Sequence, residues 1–184
     1  MDPLKDLKDL LKNSEDNFSL DNLFNEYGID LKELEENLIQ KIKLEYVSES
    51  GLNLHYAYNT DSGFDLYSNV DIEIPSLGRT LIPTGVKLNV PENYEVQVRS
   101  KSGLALNRGL MVLNSPGTVD QGYTGEIKVI MFNTSDSTQT IKKGEKVAQA
   151  VLASCIPGKL VDLVQVNKIK SKDRNENGFG STGA

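Results

Sequence analysis

One cysteine and one histidine are all that the 184 residues contain of either type. Cys155 has no partner within the chain, so no intrachain disulfide can form, and a reducing, cytoplasmic setting fits. His55 alone excludes a multi-histidine metal site built from a single chain. No apolar run approaches the roughly 18 residues of a transmembrane helix, so no membrane span is expected. The first residues, Met1 to Asp6, are charged and carry no apolar core of a secretory leader. Internal repeats and low-complexity tracts are also missing. What remains is 38% hydrophobic and 25% charged, enough to pack a core and to exclude general disorder. The length suits one domain with an appendage.

Charge divides the chain. Residues 1–42 hold 11 of the 26 acidic and 5 of the 20 basic residues, a net −6, which leaves residues 43–184 neutral. An acidic N-terminal segment repels phosphate, so nucleic-acid binding by it is not expected. Periodicity changes at the same place. Leu4, Leu7, Leu10 and Leu11 recur at helical spacing, as do Leu20, Leu23, Phe24 and Tyr27, bracketed by Ser19 and Gly28. Leu31, Leu34 and Leu38 form a third stripe behind the capping-box pair Asp30 and Glu33. Three short amphipathic helices are expected, each burying its stripe against another, against the rest of the chain, or against a second chain.

From Ile42 onward the period is two. Ile42, Leu44 and Tyr46 alternate with polar residues, as do Val70, Ile72 and Ile74, and Tyr94, Val96 and Val98. Residues 127–132 are apolar on both phases apart from Lys128, which predicts a strand buried on both faces. Turn signals at residues 76–78, 83–85, 91–93, 143–144 and 157–158 separate these runs. Many short strands at such spacing predict an all-β antiparallel sandwich or barrel, with no helix between residues 43 and 170. The domain organisation expected is a helical extension (1–42), a β domain (43–170) and a glycine-rich arm (171–184).

The chemistry concentrates in five segments. Residues 114–126 (NSPGTVDQGYTGE) set Asp120 and Tyr123 three apart among three glycines and a proline. That composition predicts a tight hairpin whose carboxylate and ring face one small pocket. Residues 57–68 (AYNTDSGFDLYS) place Asp65 just beyond Gly63. Residues 99–105 (RSKSGLA) put the hydroxyl of Ser102 beside Gly103, where backbone N–H groups can approach a phosphate, with Arg99 and Lys101 supplying charge. Residues 143–149 (KGEKVAQ) end on Gln149. Residues 174–183 (RNENGFGSTG) set Arg174 ahead of Phe179, Gly180, Ser181 and Thr182. Each segment read alone is equally a surface turn, a basic strand end or a disordered tail.

Taken together and in order, the five segments resemble the five motifs of the trimeric all-β deoxyuridine triphosphatases (dUTPases), across about residues 43–184. The resemblance implies a jelly-roll-like β subunit of a homotrimer. Each active site would draw the first, second and fourth motifs from one subunit, the third from another and the fifth from a third. The implied reaction is hydrolysis of dUTP to dUMP and pyrophosphate. Asp120 would orient and deprotonate the attacking water, and Ser102 would hydrogen-bond the oxygen bridging the α- and β-phosphates. Asn114 and the backbone at Gly117 would read the uracil edge, and Tyr123 would stack under deoxyribose and exclude a 2′-hydroxyl. Asp65, Arg99, Lys101, Gly103, Gln149 and Arg174 would order or contact the phosphates. Phe179 would stack on the base, with Gly180, Ser181 and Thr182 closing over the phosphates. Mg²⁺ would be carried by the triphosphate, with Asp65 reaching it through water.

The chain departs from the family pattern at Lys101, which holds an arginine place, and at Asn175 and Asn177, which hold glycine places. Two other readings remain. Deoxycytidine triphosphate deaminase shares the fold and carries a catalytic glutamate ten residues past the equivalent of Asp120. That position is Ile130 here. A non-catalytic or dual-role binding protein would use residues 1–42 to recruit a further protein partner.

Overall fold

The computed structural model describes residues 41–177. The chain divides into two units, Met1–Lys43 and Leu44–Ala184. The three expected helices lie outside the described residues. No helix among the described residues is long and apolar enough to cross a membrane.

The strands described in the second unit all pair antiparallel. Its strands are β1 (Glu45–Ser48), β2 (Phe64–Tyr67), β3 (Ile72–Ile74), β4 (Arg79–Pro83), β5 (Val86–Asn89), β6 (Tyr94–Arg99), β7 (Leu110–Val112), β8 (Gly117–Val119), β9 (Lys128–Asn133), β10 (Gln139–Ile141) and β11 (Lys146–Ser154). They form a four-stranded sheet ordered β2-β11-β6-β8, a three-stranded sheet ordered β4-β9-β7, and the pairs β1-β5 and β10-β3. Leu66, Val96, Val98, Ala148 and Ala150 of the larger sheet share one core with Ile82, Leu110, Val112, Val129 and Met131 of the smaller. This is the sandwich that short alternating strands require, since each sheet has one apolar face to bury, and its architecture is jelly-roll-like.

Three expectations need correction. A helix, α1 (Ser102–Arg108), lies within the β domain. It buries none of its residues and is too short to carry a readable 3.6-residue stripe. Gly109 ends it at φ 64° and donates its N–H to Ala105 O. A side chain there would strike Thr134 Oγ1 at 2.6 Å. The segment 114–126 is not a hairpin with paired arms: β7 pairs with β9 and β8 pairs with β6, so the turn between them crosses from one sheet to the other. Pro116 has no N–H to offer a ladder at that crossing. Strand β9 begins at Lys128 and buries one face only, with Val129, Met131 and Asn133 inside and Ile130 and Phe132 half-buried.

Asn133 is the polar exception in the core. It is fully buried. Its Nδ2 lies 3.0, 3.1 and 2.8 Å from the carbonyl oxygens of Ile74, Pro75 and Ser137. Its Oδ1 accepts the N–H of Ser135 at 2.9 Å and the Ser135 hydroxyl at 2.7 Å. One amide thus ties the end of β3 to the β9–β10 connection. Asn133→Ala strands these buried groups and should cost about 2–4 kcal/mol in a urea unfolding titration; a loss under about 1 kcal/mol would show that the network is not needed.

Candidate active site

The phosphate-type motifs meet through strand register. On β11, Gln149 lies opposite Asp65 of β2 on one side and opposite Arg99 of β6 on the other. Directly opposed residues project from the same face of a sheet. One residue from each of the first, second and fourth motifs therefore stands in a single row across three strands. Lys146 joins them by a different device. It is three residues from Gln149, which in a regular strand would put it on the opposite face. The register shifts between Lys146 and Ala148, so Val147 and Ala148 are both buried and Lys146 comes to lie opposite Tyr67. The bulge restores Lys146 to the face of Asp65.

Asp65 takes two cations. Lys146 Nζ is 2.7 Å from its Oδ2, and Lys101 Nζ contacts Oδ1. Burial works to raise the Asp65 pKa, but the hydrogen bonds and charges of Lys101 and Lys146 together outweigh it and hold it below the ordinary carboxylate value. The Lys146 pKa is raised, chiefly by its hydrogen bond to Asp65. Asp65, Lys101, Lys146 and Gln149 line a polar cavity of about 470 Å³ with His55 and Asp61. Gln149 Nε2 also donates to Ser100 O at 3.2 Å.

The third motif lines a second cavity, of about 240 Å³, with Asn114, Gly117, Asp120 and Tyr123 among its walls. Gly117 is required to be small: a Cβ there would sit 3.2 Å from Asn114 Nδ2 and 3.5 Å from Val98 Cβ. Tyr123 is held at both ends, its N–H on Asp120 O at 3.0 Å and its hydroxyl on Glu126 O at 2.9 Å. The ring lies so close over Gly125 that a Cβ there would meet the phenol oxygen at 2.6 Å. Ile130 lines this cavity too, an apolar side chain where a deaminase needs a glutamate.

The two cavities have no lining residue in common. Arg99, Ser102, Gly103 and Arg174 line neither. Arg99 turns back along β6, its Nη2 2.6 Å from Gln97 Oε1, rather than joining Lys101 at Asp65. Ser102 and Gly103 open α1 and are exposed. Arg174 donates through Nε to Asn177 O at 2.9 Å. Phe179, Gly180, Ser181 and Thr182 lie outside the described residues. Three residues of the polar cavity escaped the sequence reading. His55 sits in an irregular loop ahead of the first motif, Asp61 lies within that motif but is not singled out by it, and Lys146 is on the wrong phase until the bulge is known. Among the described residues, no three His, Cys, Asp or Glu side chains converge as metal ligands.

A family model for dUTPase matches residues 50–183. The chain belongs to the dUTPase family. A deoxyuridine 5′-triphosphate nucleotidohydrolase of Fusobacterium nucleatum is 40% identical over 148 residues, covering 79% of this chain and 99% of that one. Its counterpart in Clostridium kluyveri is 48% identical over 128 residues, covering 70% and 87%. Among solved dUTPase folds, that of Staphylococcus bacteriophage 80alpha with dUPNHPP superposes with a TM-score of 0.70 at 24% identity, over 78% of this chain and all of that one. The dUTPase of phage phi11 superposes with a TM-score of 0.63 at 22% identity, over 71% of this chain.

The depressed Asp65 pKa fixes the sign of one pH effect. Stability from the Asp65–lysine cluster is fully present above the unfolded value of about pH 4 and is lost as pH falls through the lower folded value. The gap in Tm between the parent and Asp65→Asn should therefore be widest near neutral pH and close below about pH 4. A gap constant from about pH 7 to pH 3 would mean that the ion pairs contribute nothing.

Proposed function

We propose that this protein hydrolyses dUTP to dUMP and pyrophosphate, removing dUTP from the nucleotide pool and supplying dUMP. The observation that carries this reading is the third-motif cavity, where Asn114, a side-chain-free Gly117, Asp120 and a doubly tethered Tyr123 line one space. Backbone at Gly117 and the Asn114 amide offer a fixed donor and acceptor pattern for the uracil edge. The Tyr123 ring, pinned against Gly125, forms a flat floor for deoxyribose that leaves no space for a 2′-hydroxyl. Asp120 is exposed, with no side-chain partner among the described residues, and so its carboxylate is open to a water. It orients that water for in-line attack on the α-phosphorus and accepts its proton.

The phosphates belong in the polar cavity. Lys101 and Lys146 supply charge there, Gln149 supplies a neutral donor, and Ser102 with the N–H groups opening α1 faces the bridging oxygen. Arg99 reaches the phosphates by leaving Gln97, and Arg174 by leaving Asn177. Asp65 would face a triphosphate-borne Mg²⁺ through water, and the ion would supply charge neutralisation of the phosphates. Asp61 and Asp65 are both half-buried, but among the described residues no three His, Cys, Asp or Glu side chains converge, which suits a metal that arrives with its substrate better than a protein-built cage.

A nucleoside cavity and a phosphate cavity without a common wall suit a site completed between subunits. The outer face of β4-β9-β7 supports such an assembly. Leu81, Met111 and Leu113 are 51%, 36% and 44% exposed there, beside the half-buried Ile130 and Phe132. The homotrimer unites the third motif of one subunit with the first, second and fourth of a neighbour, and the fifth motif of the third closes the site. Residues 1–42 serve packing or oligomer stability, with recruitment of a further protein as the second reading. The activity is placed in the cytoplasm.

Pyrophosphate release with Mg²⁺ should be fast from dUTP and slow from dCTP, dTTP and UTP. Asp120→Asn should lower kcat by at least about a hundredfold while changing dUTP affinity by less than about threefold. Unchanged turnover in that variant would remove Asp120 from the chemistry, and ammonia release from dCTP would favour the deaminase.

A further inference from the structure

The third motif holds Tyr123 through its own backbone, and a neighbouring turn holds that backbone. Three hydrogen bonds join residues 84–86, the β4–β5 turn and the first residue of β5, to residues 126–127. Thr84 Oγ1 donates to Ile127 O at 2.6 Å, and Ile127 N–H donates to Val86 O at 2.8 Å. Gly85 N–H donates to Glu126 Oε1 at 2.8 Å. The first two bonds lie in the core, where Thr84 and Ile127 are 1% and 2% exposed. The third is a side-chain clamp. Glu126 is also the residue whose backbone oxygen receives the Tyr123 hydroxyl. Gly85 has φ +69°, and a Cβ on it would strike Asn69 Nδ2 at 2.9 Å, so a residue with a side chain does not fit at the clamp's donor without displacing Asn69.

From this geometry we infer that Glu126 is a positioning residue for sugar selection. Its carboxylate anchors the Gly125–Glu126 backbone to the β4–β5 turn, and that backbone sets the height of the Tyr123 ring. The ring rejects a 2′-hydroxyl only while it is held at that height. The requirement is assigned to an acceptor at the right reach: Gly85 N–H meets Oε1 directly at 2.8 Å, while Lys128 Nζ pairs with Oε2 at 3.7 Å, so reach and charge must be separated by substitution. The inference rests on the dUTP-hydrolysis reading above.

Two near-isosteric variants separate reach from charge. Glu126→Asp keeps the charge and withdraws the carboxylate by about 1.5 Å. Glu126→Gln keeps the reach and loses the charge. Steady-state kinetics on dUTP and UTP, with Tm for each protein, are the readouts. The Asp variant should show a higher KM for dUTP and a roughly tenfold fall in the dUTP-over-UTP ratio of kcat/KM. Its kcat for dUTP should stay within about threefold of the parent, and the Gln variant should stay within about twofold of the parent throughout. Hydrogen exchange at the Gly85 amide should be faster in the Asp variant and protected in the Gln variant. The reverse order, with Asp like the parent and Gln impaired, overturns the inference in favour of charge. Equal losses on dUTP and UTP that track Tm overturn it in favour of a purely structural role. A parent that does not turn over dUTP overturns the functional reading before any variant is compared. A competent parent with an Asp variant equally selective overturns this inference alone.

Discussion

Everything at the phosphate end of the site depends on one strand pairing on both its edges. β11 is the longest strand described, nine residues, and it lies between β2 and β6. Backbone hydrogen bonds on both sides leave no latitude in its register, because a slip of one residue would turn Ala148 and Ala150 out of the core and Gln149 into it. The alignment of Gln149 with Asp65 and Arg99 follows from that burial requirement. The site is thus positioned by the apolar face of the strand that carries it.

The bulge at Val147 adds a second constraint. It inserts one residue where β11 passes β2 and so brings Lys146 to Asp65. Lys101 arrives from the opposite direction, extended at the residue just before α1. Two ammonium groups on one partly buried carboxylate hold that carboxylate ionised and keep both cations in a cavity that Asp61 also lines. On the proposed reading, a phosphate chain entering this space would meet cations already gathered, which reduces the ordering cost of binding. The third-motif cavity is built differently. Glu126 and Lys128 pair at 3.7 Å among its lining residues, and glycines let Tyr123 and Asn114 approach backbone closely. Charge organises one cavity and steric allowance the other.

Much of this was legible in the chain. Period-two alternation located β3 and β6, the turn signals fell between strands, and the motif residues Asp65, Lys101 and Gln149 do line one cavity while Asn114, Gly117, Asp120 and Tyr123 line another. Periodicity failed where an element was too short to have any, as in α1. It also failed where both phases were apolar, as in β9, whose second face is only half-covered within one chain. The hairpin expected at residues 114–126 failed because glycine and proline announce a turn without saying which strands the turn joins.

The sequence by itself determined the family, the β architecture and the candidate site segments, because these depend on local alternation and on residue types at short spacing. Only the tertiary structure decided that Lys146 shares a face with Asp65, that Arg99 turns to Gln97, and that the third motif lines a different cavity from Asp65, Lys101 and Gln149. The physical reason is the same in each case. A bulge, a side-chain rotamer and a strand's choice of partner are settled by contacts between residues far apart in the chain, and no local pattern encodes them.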